Sequence, residues 1–176
     1  MILVKYNSTM KDFFELIRWN HWAKNVFVLA PLFFSGDYYD ISNVAQVLKA
    51  FFIFCLVSSC VYIFNDLLDY EADSAHNKKR LRPLPSGRIS KPMAMLILSI
   101  MFISACLLLY TLRMPINFIY VVLFYALINL IYSMGLKHIP VLELILVSSG
   151  FVLRLVGGSE ALSIGLSPWI IAATAS

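Results

Sequence analysis

Charge is scarce in this sequence. Asp, Glu, Lys and Arg make up 14% of its 176 residues and hydrophobic residues 60%, whereas soluble domains carry about 25% and about 45–50%. Cysteine is scarce as well. Cys55, Cys60 and Cys106 all fall inside apolar runs, without C-x-x-C spacing or a nearby histidine, which argues against a metal site or a disulfide framework and makes them packing residues. His21 and His138 fall at interfacial positions and His76 in a loop, none at metal-ligand spacing. There is no internal repeat and no low-complexity tract. Near the N-terminus no apolar core leads to a small-residue cleavage site, so no cleavable signal peptide is expected. A net charge of +4 in so apolar a chain is no nucleic-acid signal; the placement of the basic residues matters more than their sum.

What the chain has in abundance is long apolar runs, several near or above the ~18 residues that mark a membrane span. With a mean hydropathy of +0.80, they predict an all-α fold: a polytopic transmembrane helical bundle. About five full spans and the start of a sixth make one membrane domain over residues 1–176. Residues 1–25 read as an amphipathic opening segment with Trp19 and Trp22 in an interfacial aromatic belt. A weak first span covers 16–34, its first turns holding Arg18, Asn20, His21, Lys24 and Asn25. The others fall at about 44–64, 93–112, 116–132 and 141–162, and the sixth opens near Pro168. Lys5, Lys11, Arg18, Lys24, the basic residues of 78–91 and Lys137 share one side, while only Lys49 and Arg113 lie on the other. The positive-inside rule makes the first side cytoplasmic. The expectation is a multi-pass protein of a bacterial-type plasma (inner) membrane, with the N-terminus and the 65–91 loop in the cytoplasm.

The charge that is present gathers in that loop, NDLLDYEADSAHNKKRLRPLPSGRISK. The helix of the second span is expected to run on into its acidic half. At about 100° per residue, Asn65, Asp66, Asp69 and Asp73 then share one arc of about 100°, with Glu71 off it. Carboxylates so close repel unless a cation neutralises them. A few hard oxygen donors suit Mg²⁺, which keeps waters and takes further ligands from substrate phosphates. The alternative is a solvated, charged helix end. In the basic half, Lys78, Lys79, Arg80, Arg82 and Arg88 are placed to meet phosphate oxygens, bidentately in the case of Arg. Topology alone explains part of that charge. Pro83, Pro85 and Gly87 shape a compact loop suited to a binding lid.

The acidic half, NDLLDYEAD, matches the N-D-x-x-D-x-x-x-D motif of the UbiA superfamily of intramembrane prenyltransferases, and RPLPSGRIS resembles the R-P-[LI]-x-x-G segment that follows it. Three further segments resemble its polyprenyl-phosphate phosphoribosyltransferase branch: WNHWAKNVFVLAPLFFSG, AHNKK and YSMGLKHIPVLELILVSSGFVLRLVGG. Asn77 stands where proline is usual and Glu143 where aspartate is usual. Members of the family have more spans, and a second polar or acidic loop beyond the sixth, so the chain is expected to be the N-terminal part of such a fold.

The resemblance implies catalytic Asp66, Asp69 and Asp73, with Asn65 joining them around Mg²⁺ to hold a donor diphosphate. It implies substrate contacts from Lys24, Asn25, Lys78, Lys79, Arg82, Tyr132, Lys137 and Arg154. Lys24 is otherwise a snorkelling lysine, and Tyr132 and Lys137 are otherwise interfacial anchors. Arg154 lies three turns beyond Glu143, offset by about 20° around the helix; an intramembrane arginine is either functional or ion-paired. The implied reaction moves a phosphoribosyl group from 5-phosphoribosyl-1-diphosphate to a polyprenyl phosphate, and releases diphosphate. Aromatic prenyl transfer from a prenyl diphosphate uses the same acidic motif and stays open, as does a non-catalytic membrane subunit. A transporter fits poorly, because the charges sit at the membrane edge and not at its midplane.

Overall fold

The computed structural model describes residues 2–135, 140–166 and 174, the side chains of 2–8 and 140–144 excepted. Its elements are helical. Helix α1 (Ile2–Leu16) leads into a 3₁₀ segment (Trp19–Leu29) and the short α2 (Ala30–Ser35). Then come α3 (Ile41–Leu68), α4 (Tyr70–Ala75), α5 (Lys91–Thr111), α6 (Ile116–Met134) and α7 (Pro140–Leu162). Four helical stretches are long and apolar enough to cross a membrane: α3, α5, α6 and residues Ile145–Leu162 of α7. They realise the second to fifth expected spans. The expected sixth lies outside the described residues.

The expected first span takes another form. Arg18 adopts a left-handed conformation (φ 52, ψ 48) that ends α1 and starts the 3₁₀ segment. That segment runs for 11 residues, where 3₁₀ helices seldom exceed three or four. Its polar groups explain why it is held here and does not form a plain lipid-facing helix. Trp22 Nε1 donates to Ser59 Oγ at 3.0 Å, and Ser59 Oγ donates to the Ile17 carbonyl at 2.8 Å. Asn25 is fully buried, and its Nδ2 donates to Ser58 Oγ at 3.2 Å and to Cys55 Sγ at 3.3 Å. Cys55, Ser58 and Ser59 all lie on α3, the central helix.

Two apolar clusters organise the bundle. One joins Val28 and Leu32 to Val47, Ile53 and Phe54 of α3, Phe118, Val122 and Tyr125 of α6, and Ala161 of α7. The Phe54 ring meets those of Phe118 and Tyr125 edge-on, with centroids 5.9 and 5.4 Å away. The second cluster sits at the other end of α3 and joins Leu16 and Ile17 to Ile63, Ala94 and Met101. Leu84 and Ile89 of the charged loop enter it, 1% and 9% exposed. The loop is thereby pinned to the bundle. Gly87 makes its turn at φ 74, and Ile89 N–H returns to the Pro83 carbonyl at 3.0 Å. Ser90 then caps α5, its hydroxyl accepting from Met93 N–H at 3.4 Å, with Pro92 in the first turn where no N–H is needed.

Candidate active site

The acidic segment begins where the central helix ends. Asp69 breaks the helical dihedrals (φ −88, ψ 6), yet its N–H still reaches the Asn65 carbonyl at 2.9 Å, and Asp73 N–H reaches the Asp69 carbonyl at 2.8 Å. The i, i+4 register therefore passes from α3 into α4, with a cap residue at the junction. Asp66 and Asp73 turn inward and are each 2% exposed; Asn65 and Asp69 are half-buried, and Glu71 is exposed, off the acidic face as expected.

Buried carboxylates need cations, and the chain supplies three. Arg82 places a single nitrogen, Nη1, 2.7 Å from Asp73 Oδ2 and 3.3 Å from Asp66 Oδ1. Arg18, arriving from the other side of the bundle end, pairs with Asp66. Lys79 Nζ stands 3.4 Å from Asp73 Oδ1. The Arg18 guanidinium also lies 5.0 Å from the centre of the Tyr62 ring, within cation–π range. A second ion-pair group fixes the loop from outside: Arg88 binds Asp12, Glu15 (3.1 Å) and the Leu81 carbonyl (2.6 Å), tying α1 to the loop. The loop also braces itself, since His76 Nδ1 accepts the Lys78 N–H at 3.2 Å.

Between these groups opens a cavity of about 240 Å³, walled by Arg18, Asn20, His21, Asp66 and Arg82, with Trp19 at its side. The His21 ring meets Tyr62 edge-on at 5.2 Å. Burial, and after it the charges of Arg18, Lys24 and Arg82, hold the His21 imidazole below its ordinary titration range.

The oxygen-only donor set fits a hard divalent cation. Asp66 and Asp73 already converge on one cationic atom, Arg82 Nη1. Among the described residues no three His, Cys, Asp or Glu side chains surround a common point. An ion held by oxygens of this face would thus depend on substrate oxygens for the rest of its shell.

The sequence profile of the UbiA prenyltransferase family matches residues 26–176. The chain belongs to this family. Decaprenyl-phosphate phosphoribosyltransferase of Mycolicibacterium smegmatis is 39% identical over 161 residues, which are 89% of this chain and 50% of that protein. The chain thus spans about half the length of the curated relatives it matches. Among solved structures, digeranylgeranylglyceryl phosphate synthase superposes with a TM-score of 0.77 at 21% identity, over 95% of this chain and 57% of that one. A UbiA homologue from Archaeoglobus fulgidus bound to DMAPP and Mg²⁺ gives 0.70 at 17% identity, over 93% and 59%. These likenesses establish the fold as that of the UbiA family.

Within this UbiA fold the residues singled out in the sequence separate into three places. Asn65, Asp66, Asp69, Asp73, Lys79 and Arg82 gather at the end of α3. Lys78 is exposed beside them in sequence, Lys24 is exposed on the 3₁₀ segment, and Tyr132 is half-buried in the last turns of α6; Lys137 lies outside the described residues. Asn25 and Arg154 come together deeper in the bundle. Arg154, 5% exposed, donates from Nε to Asn25 Oδ1 (2.7 Å), from Nη1 to the Gly150 carbonyl (2.7 Å) and from Nη2 to Tyr125 Oη (2.8 Å). All three acceptors are uncharged protein groups. Arg18 was missing from the sequence-derived site. It lies 48 positions from its carboxylate partner, outside any motif. A signal existed all the same: three acids on one face require more cations nearby than one loop need supply.

Proposed function

We propose that the chain carries the donor-binding half of a Mg²⁺-dependent transferase that moves a phosphoribosyl group from 5-phosphoribosyl-1-diphosphate onto a polyprenyl phosphate. The observation that carries the reading is the convergence of Asp66 and Asp73 on one cation, with Arg18 and Lys79 beside it. Asn65, Asp66, Asp69 and Asp73 are the oxygen donors that would hold the metal. Bound there with the diphosphate, Mg²⁺ would neutralise charge that grows on the leaving group as the anomeric C–O bond breaks. Arg82 and Lys79 reach the same place from the loop, with Lys78 next to them, and donate hydrogen bonds to phosphate oxygens. Such donors lower the barrier because the charge they meet is larger in the transition state than in the ground state.

The acceptor oxygen of a lipid phosphate is already anionic, so the site needs no strong general base. The lipid tail lies against the apolar spans with its head at the acidic end of the bundle. The excess of Lys and Arg at that end supports a cytoplasmic orientation in a bacterial-type plasma membrane, with residues 65–91 as the catalytic loop. The branch name of the relatives that are 35–39% identical supports ribosyl over prenyl donors.

The test is transfer of radiolabelled phosphoribosyl from its diphosphate onto polyprenyl phosphate, in membranes carrying this chain with Mg²⁺. Label should enter the lipid phase and be lost with Asp69→Ala and with EDTA. A DMAPP-bound homologue of the same fold makes prenyl transfer the second reading. Silence with the sugar donor and turnover of a prenyl diphosphate with an aromatic acid would replace the first reading by the second.

A further inference from the structure

One part of the site has no role in that mechanism: the cavity on the α1 side of Asp66. Its volume, about 240 Å³, lies below the roughly 300–1,000 Å³ of pockets that enclose drug-sized ligands. Its wall is mixed: Phe14, Trp19 and Pro83 give it apolar surface, Glu15 and Asp66 bring carboxylates, and the remaining side chains are hydrogen-bond donors. Arg18 and Arg82 offer guanidinium donors, Asn20 an amide and His21 an imidazole, while Trp19 shows an aromatic surface that is 54% exposed. Arginine forks beside a neutral hydrogen-bonding pair suit a phosphate monoester carried on a hydroxylated body. An aromatic face at the rim suits the C–H side of a sugar ring.

Two further observations point to a ligand. His21 Nδ1 is the one buried side-chain polar atom among the described residues that has no hydrogen-bond partner, and such atoms are rare enough in folded proteins to need a reason. Arg18 is also bound at present to Asp66, which the proposed function makes a metal ligand. Once a divalent cation takes that carboxylate, Arg18 is left on the cavity wall without its counter-charge.

We propose that this cavity receives the phosphorylated-sugar end of the donor while the acidic face receives its diphosphate. The inference rests on the phosphoribosyl reading and deepens it. His21 and Asn20 then separate sugar donors from prenyl donors, because a prenyl diphosphate has nothing to place there. Arg18 links the two subsites: metal on Asp66 turns a salt-bridged arginine into a phosphate-binding one, so the sugar phosphate binds more tightly when metal and diphosphate are present.

The experiment is calorimetric titration of the purified chain with ribose 5-phosphate and, separately, with inorganic diphosphate, each with and without Mg²⁺, and with ribose 5-phosphate again in the presence of Mg²⁺ and saturating diphosphate. Ribose 5-phosphate should bind about tenfold more tightly when Mg²⁺ and diphosphate are both present. His21→Ala and Asn20→Ala should each weaken it about tenfold, the loss of about one hydrogen bond to a charged group, and leave diphosphate binding within about twofold. His21→Gln should recover part of the loss. Thermal midpoints of the variants show that they are folded. Farnesyl monophosphate, a short lipid phosphate, should not compete. Competition by it, or equal loss of both ligands in the variants, would overturn the subsite. So would diphosphate binding without any ribose 5-phosphate binding, which leaves the transferase reading standing. If neither ligand binds the unaltered chain, the phosphoribosyl reading falls together with the subsite.

Discussion

At the scale of single residues, the site is a balance between carboxylates that water cannot reach and cations drawn from two distant stretches. Asp66 is 2% exposed and is held by Arg18 and Arg82 together. Removing the only partner of a buried charge costs about 3–5 kcal/mol. Because Arg82 remains, Arg18→Gln should cost less, about 2 kcal/mol by the same reasoning. In the double variant Arg18→Gln, Asp66→Asn the buried charge itself is gone. It should be more stable than the sum of the single effects predicts, by about 1–2 kcal/mol, the range for residues in direct contact. Reversible unfolding in detergent measures all four corners of that cycle. Strict additivity would show that the pair is energetically idle. Asp66 and Arg82 were legible in the sequence because both sit in a dense local pattern. Arg18 was not, since what defines it is a pairing across the fold.

At the scale of elements, the four long apolar runs were readable from composition alone, and they formed the helices expected of them. Residues 16–34 were harder. Their apolar part reads as a span, but Arg18 and Asn25 are satisfied by groups on α3 and α7 that no local window contains. The 3₁₀ segment packs so closely on α7 that a β-carbon at Gly158 would run into the Val28 carbonyl oxygen. Backbone cannot step aside as a side chain can. Gly158→Ala should therefore destabilise by about 3 kcal/mol, the upper end for overpacking. Gly157→Ala, which meets the Phe54 ring, should cost less, because a ring can turn. Comparing their thermal midpoints checks this order; the reverse order would mean that the segment is free to shift. The loop has its own tether: Arg88→Ala breaks the links to Asp12, Glu15 and Leu81. Limited proteolysis of the variant should cut within 76–90 several times faster than in the parent; the midpoint should also fall, because the exposed pair with Glu15 contributes only about 0–1 kcal/mol but Asp12 is left buried without its partner.

At the scale of the whole molecule, the 28 residues of α3 span about 42 Å at 1.5 Å per residue, more than the ~30 Å of a hydrocarbon core. The helix can cross the bilayer and still hold Asn65 and Asp66 in the headgroup layer, where a water-soluble donor and a lipid acceptor can meet. Its two ends should then be reachable from opposite sides. With the three native cysteines replaced by alanine, single cysteines at Asp37 and at Asn77 should react with an impermeant maleimide on opposite faces of sealed vesicles. Labelling from one face would overturn the bundle orientation proposed here.

The guanidinium of Arg154 also sets an order of events during synthesis. An arginine near the middle of a span raises its cost of insertion by about 2.5–3.5 kcal/mol. The groups that offset this, Asn25 and Tyr125, belong to segments made earlier. The last described helix should therefore enter the bilayer poorly by itself and well behind residues 19–134. Its Arg154→Leu variant should enter equally well in either setting. Glycosylation mapping of both lengths would measure how far early segments act as an intramolecular chaperone for a later one.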